Sequence, residues 1–159
     1  MLYWEDFVVG NVAHYGPRTI TREEMIAYAV EFDPQPMHVD EAAARTTMLG
    51  ELIASGWYLC ALQMRMIADG FVLACCSLGS PGVEEVKWLK PVRPGDRLTV
   101  RATVLETRPS KSRAGLGLIK FRYDMLDPSD VCVMTLVSTM MIARRGFTRA
   151  SAMASGRAQ

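Results

Sequence analysis

The sequence predicts an α+β domain in which one long helix packs against a strongly twisted antiparallel sheet. Two observations carry that reading. Everything after Gly70 consists of β-rich segments separated by turn signals, and just before it, from Ser55 to Asp69, stands a helical stretch that is apolar on nearly every side. A chain of 159 residues is long enough for one domain with a substantial core and too short for two ordinary ones. We expect a single domain over residues 1–145, with residues 146–159, rich in Ala, Ser and Arg, as a frayed tail.

In chain order, Trp4 to Tyr15 has short apolar pieces broken by Gly10 and Asn11 and is expected to form an edge strand. Thr21-Arg22-Glu23-Glu24 has the capping-box spacing, and the apolar residues after it define a short helix. That helix ends at Asp33-Pro34, because a residue before proline is pushed out of the helical region. Pro36 extends the irregular segment, so Asp33 and His38 flank a stiff turn. Asp40 to Arg45 is a short helical piece whose Asp40 and Glu41 are expected to act as its N-cap and first-turn acids. After the long helix, Phe71 to Ser77, Val83 to Trp88, Arg97 to Arg108, Gly115 to Met125 and Val131 to Ala143 read as successive antiparallel strands. Alternation in Leu98–Val104 and Leu118–Tyr123 gives each of those strands one buried and one wetter face.

Composition narrows the function. With 18 basic residues against 17 acidic ones there is no basic field to attract nucleic acid, so no nucleic-acid role is expected. Gln63, Arg65 and Asp69 interrupt the longest apolar run, and the N-terminus lacks a signal pattern, so a cytoplasmic protein without a membrane association is expected. The four cysteines, Cys60, Cys75, Cys76 and Cys132, lack CxxC spacing and read as small apolar side chains, with no metal site.

One segment carries chemistry. The chain's only two histidines are His14, which belongs to no motif, and His38, which stands five positions after Asp33 in Phe32-Asp33-Pro34-Gln35-Pro36-Met37-His38. A carboxylate and an imidazole can together take a proton from water and deliver one to carbon, and the prolines between them limit how far the pair can drift apart. The bland alternative is a turn aspartate beside a solvated histidine, and spacing alone leaves both open.

Three segments decide further. Tyr28-Ala29-Val30-Glu31-Phe32-Asp33-Pro34-Gln35-Pro36-Met37-His38-Val39-Asp40, then Gly50-Glu51-Leu52-Ile53-Ala54-Ser55-Gly56, then Val86-Lys87-Trp88-Leu89-Lys90-Pro91-Val92-Arg93-Pro94-Gly95-Asp96, resemble in order and spacing the MaoC-like dehydratases, relatives of the (R)-specific enoyl-CoA hydratases. The resemblance extends over about residues 4 to 143. It implies a hotdog fold, in which the sheet wraps the long helix, and a homodimer, or a larger oligomer built on one, with the active site near the subunit interface. It also implies reversible hydration of an enoyl thioester, on coenzyme A or an acyl carrier protein, to a 3-hydroxyacyl thioester. In that chemistry Asp33 accepts a proton from the attacking water, His38 orients the water and passes a proton to Cα, and the Gly56 backbone N–H stabilises the thioester oxyanion. Coenzyme A enters only as part of the substrate, and no other cofactor is implied.

Two positions depart from the family pattern: Gln35 replaces the usual asparagine, and Ser55 stands where a histidine is common. A thioesterase on the same fold and a non-catalytic acyl-thioester-binding or dimerisation module are the competing readings. Arg108, Lys111 and Arg113, and separately Lys87, Lys90 and Arg93, are cations that could meet phosphates, with a solvated surface as the default. Leu62, Met64 and Met66 read as core, with a role in bordering the acyl chain as the alternative.

Overall fold

The long helix, expected to be buried all round, is covered by the sheet on one face only, and its other face, with Trp57, Ala61, Met64 and Arg65, is exposed. The computed structural model describes residues 1–147. Its elements are β1 (Val12–Thr19), α1 (Arg22–Phe32), α2 (Pro36–Val39), α3 (Glu41–Ala44), α4 (Gly56–Gly70), β2 (Gly82–Trp88), β3 (Arg97–Pro109), β4 (Leu116–Leu126) and β5 (Cys132–Ala143), with single 3-10 turns at Trp4–Asp6 and Val72–Ala74. The strands form one antiparallel sheet in the order β1-β3-β4-β5-β2, so β1 and β2 are its edges. With α4 against it, this is a hotdog fold.

Leu59, Leu62, Met66 and Ile67 of α4 share one apolar core with Val100, Ala102 and Val104 of β3, Ile119, Phe121 and Tyr123 of β4, and Met134, Leu136 and Met140 of β5. Those strand residues are every second one, as a sheet with one buried face requires. Phe121 is central: its ring lies 5.8 Å from Phe7, 5.7 Å from Phe71 and 5.4 Å from Tyr123. Met64, by contrast, is exposed on the outer side of α4, while Leu62 and Met66 are core.

The capping box forms as the sequence predicts. The Thr21 hydroxyl accepts the Glu24 N–H at 3.2 Å, the Glu24 carboxylate accepts the Thr21 N–H at 3.4 Å, and α1 closes with the Asp33 N–H donating to the Ala29 carbonyl. Asp40 caps α3 by accepting the N–H groups of Ala42 and Ala43, and Glu41 pairs with Arg22. His14 lies exposed on edge strand β1.

Two expected strands differ. The opening segment splits into a 3-10 turn and a strand that starts only at Val12, because Trp4 packs its ring over Gly117 of β4 instead of joining the ladder. Phe71 to Ser77 is not a strand. Phe71 enters the core directly at the end of α4, and the reversal there satisfies its backbone locally, Ala74 N–H on Phe71 C=O and Cys75 N–H on Val72 C=O. Only isolated bridges, Leu2 to Cys75 and Ser77 to Ile142, remain of the expected ladder. Of the cysteines, Cys75 is buried and the other three are half-buried. Among the described residues no helix is long and apolar enough to cross a membrane. The expected tail lies, from residue 148 onward, outside the described residues.

Truncating Phe121 would leave a cavity among three aromatic rings, those of Phe7, Phe71 and Tyr123. Phe121→Ala is expected to lower the unfolding free energy by about 3 to 5 kcal/mol, read as a shift of the urea midpoint at unchanged slope.

Candidate active site

The end of α1 presents Asp33 and the single turn α2 presents His38. Pro36 opens that turn, where a missing N–H costs nothing. His38 is buried, and its Nδ1 lies 3.0 Å from the carbonyl oxygen of Ile53. A carbonyl can only accept, so Nδ1 carries the proton, and Nε2 is left facing Asp33 Oδ2 at 3.5 Å. That separation is too long for a strong direct bond, and both atoms keep capacity to bond a third group that sits to one side of them, in the cavity.

The Asp33 carboxylate is held at both oxygens. The buried Ser55 hydroxyl donates to Oδ2 at 2.6 Å, and the Gln35 side-chain amide donates to Oδ1 at 2.7 Å. These donors, Ser55 first and Gln35 second, hold the Asp33 carboxyl below the usual aspartate value. Burial opposes them, and His38 adds a smaller push in the same direction as the donors.

Ser55 does two jobs with one oxygen. While donating to Asp33, its Oγ accepts the Trp57 N–H at 3.2 Å and so caps α4. The next residue, Gly56, is the first of the helix, and its N–H has no acceptor among the described residues. It sits at the positive end of the helix dipole. The Trp88 indole lies against Gly56: its Nε1–H donates to the Gly56 carbonyl at 3.0 Å, and a Cβ on residue 56 would fall 2.5 Å from the ring. Glycine is therefore required by close approach. Trp57 meets Trp88 edge-to-face at 5.3 Å.

These groups open on a cavity of about 360 Å³. Asp33, Gln35, His38 and Gly56 form its polar side, and the buried Ile53, Leu59 and Val92 form its inner apolar wall. Leu49, Trp57, Trp88 and Leu89 are exposed around its mouth, as is Lys90.

All three residues singled out in the sequence, Asp33, His38 and Gly56, line this one cavity. Ser55 was legible as a cap but not as a partner of Asp33, and Trp88 and the Ile53 carbonyl carried no signal beyond lying within motif segments. Neither Met64 nor Met66 lines the cavity, and Leu59, one turn or more before them, does. Arg108, Lys111 and Arg113 lie away from it, Arg108 paired with Glu106 at 3.3 Å.

Comparison with known proteins agrees with this architecture. The profile of the MaoC like domain matches residues 8–119, and the chain belongs to that family of hydratases and dehydratases. An (R)-specific enoyl-CoA hydratase from Rhodospirillum rubrum is 29% identical over 151 residues, 91% of this chain and 94% of that one. A 3-hydroxybutyryl-CoA dehydratase from Methylorubrum extorquens is 29% identical over 122 residues, 74% of this chain and 73% of that one. The crystal structure of a MaoC-like dehydratase from Rhodospirillum rubrum superposes with a TM-score of 0.85 at 37% identity, covering 92% of this chain and all of that one.

Ser55→Ala removes a cap and a carboxylate donor together. It is expected to cost about 1 kcal/mol in stability and to raise the acid midpoint of Asp33, which carboxyl-carbon NMR titration reads residue by residue. Gln35→Leu is expected to raise the same midpoint without the loss of the cap.

Proposed function

We propose that the protein is a hydro-lyase that reversibly adds water to an enoyl thioester, with enoyl-CoA as the direct candidate, to give a 3-hydroxyacyl thioester. The observation that carries this reading is the placement of Asp33 Oδ2 and His38 Nε2, 3.5 Å apart, on the same cavity as the unpartnered Gly56 N–H. Water addition needs a base at the attacking oxygen, an acid at Cα and a donor at the thioester oxygen, and the three groups supply one each.

The proposed cycle needs Asp33 ionised and a proton on His38 Nε2 as well as on Nδ1. Water, hydrogen-bonded to both Oδ2 and Nε2 from the cavity side, gives its proton to Asp33 as its oxygen bonds Cβ. The thioester carbonyl takes up negative charge against the Gly56 N–H, and losing a donor of this kind costs about 3 to 4 kcal/mol in enzymes where it has been measured. The Nε2 proton then passes to Cα and the carbonyl reforms. Proton transfer from Asp33 back to Nε2, which lies 3.5 Å away, restores the starting state. The same path run backwards is the dehydration.

The Asp33 carboxylate accepts two hydrogen bonds and is a weak base for its task. Its contribution comes from placement rather than from basicity, since a fixed, ionised acceptor beside the attacking water avoids reorganisation during the reaction. A homodimer fits the exposed surface. Edge strand β2 presents unpaired backbone, and Trp57 and Met64 of α4 with Val83 of β2 are exposed apolar side chains.

Crotonyl-CoA tests the reading through loss of its conjugated thioester absorbance. Asp33→Asn and His38→Ala are each expected to lower kcat by roughly a hundredfold to ten-thousandfold with the fold intact by circular dichroism. Release of free thiol in place of hydration would mean a thioesterase. Because the folded-state value of Asp33 is depressed, its carboxylate persists as pH falls, and the acid limb of kcat/KM is expected below the ordinary aspartate value. Light scattering is expected to return twice the chain mass.

A further inference from the structure

Three cations follow one another at the end of β2 and beyond it, and the structure separates them. Lys87 pairs with Glu85 at 2.7 Å, and the Arg93 guanidinium forks onto the Glu51 carboxylate, its Nε at 2.7 Å. Lys90 has no acidic partner among the described residues, and it is the only lysine or arginine lining the cavity that holds Asp33 and His38. Its backbone is fixed from both sides. Leu89 and Lys90 both donate their N–H groups to the Val133 carbonyl, at 2.8 and 3.2 Å, and Pro91 restricts Lys90 to extended geometry. Two residues on, the Val92 carbonyl holds the Ala54 N–H at 2.8 Å, which ties this segment to the start of α4.

The distribution of charge around the cavity says what an unpaired cation there can serve. Ile53, Leu59 and Val92 are 8%, 2% and 1% exposed, and the carboxylate of Asp33 is the only acidic group in the lining. A negatively charged acyl end against that wall would lose its hydration and face a like charge. An acyl end seated against that wall is therefore uncharged, and Lys90 is the cation on the exposed side of the lining, within reach of whatever extends from the cavity into solvent. We infer that Lys90 binds the phosphate of the phosphopantetheine arm carried by coenzyme A or by an acyl carrier protein. This rests on the thioester reading above for the identity of the ligand, though not on turnover.

Binding tests it directly. With the full chain, calorimetry compares butyryl thioesters of coenzyme A, of 4′-phosphopantetheine and of pantetheine, which lacks phosphate. Lys90→Ala is expected to weaken the two phosphorylated ligands by about fivefold to tenfold and to leave the pantetheine thioester unchanged. Lys90→Arg should retain affinity, and Lys90→Glu should lose more than Lys90→Ala. A loss of affinity for a butyryl carrier protein with none for butyryl-CoA would place the phosphate on the protein carrier. Equal loss on all ligands, or none on any, overturns the inference. Because these ligands are saturated, failure of crotonyl-CoA hydration would sink the catalytic reading and leave the Lys90 result legible by itself.

Discussion

The hydrogen bond from the buried Ser55 hydroxyl to Asp33 is the contact on which the site's geometry depends. Ser55 belongs to an extended segment in which three consecutive residues each bind a different element. Ile53 gives its N–H to Met37 and its carbonyl to His38, Ala54 gives its N–H to Val92, and Ser55 joins Asp33 to the first turn of α4. Removing the Ser55 hydroxyl would release the carboxylate and unfasten the helix start together. Asp33 closes α1, so the same bond also fixes how α1 meets the central helix.

The second constraint is steric. Trp88, at the end of the edge strand, presses on the first residue of α4 so closely that no Cβ can stand there, and its indole N–H fixes the Gly56 carbonyl. Glycine at a helix start usually costs backbone entropy, and here that cost is offset by a contact that lets the strand end and the helix N-terminus share one wall of the cavity. The core holds both in place: α4 is buried against alternating residues of β3, β4 and β5, so its N-terminus has little freedom to move relative to the sheet.

What the sequence revealed follows the range of the interactions. The capping box at Thr21, the proline-bracketed turn and the alternation in β3 are local, and each appears in the structure. The Ser55 to Asp33 bond spans 22 positions and the Trp88 to Gly56 bond 32, and neither has a periodic or local signature. Phe71 to Ser77 misled for a related reason. Its residues have strand propensity, but whether they join a ladder depends on where α4 delivers Phe71, which only the packed core decides. Gln35 is an intermediate case: its amide was legible, but its partner, Asp33 Oδ1, was not.

Two donors on one carboxylate also define the balance this site strikes. A carboxylate that accepts hydrogen bonds at both oxygens loses proton affinity, which weakens it as a base, yet the same donors fix its orientation and keep it ionised. A base that must return its proton within the same cycle gains from low affinity. In the proposed cycle, if Asp33 held the water's proton tightly, its transfer back to His38 would become the difficult step. In that proposed cycle, loosening either donor would make Asp33 a better acceptor in the first half of the reaction and a worse donor in the second, so the hydration and dehydration directions would not suffer alike from intermediate trapping even though their equilibrium is unchanged.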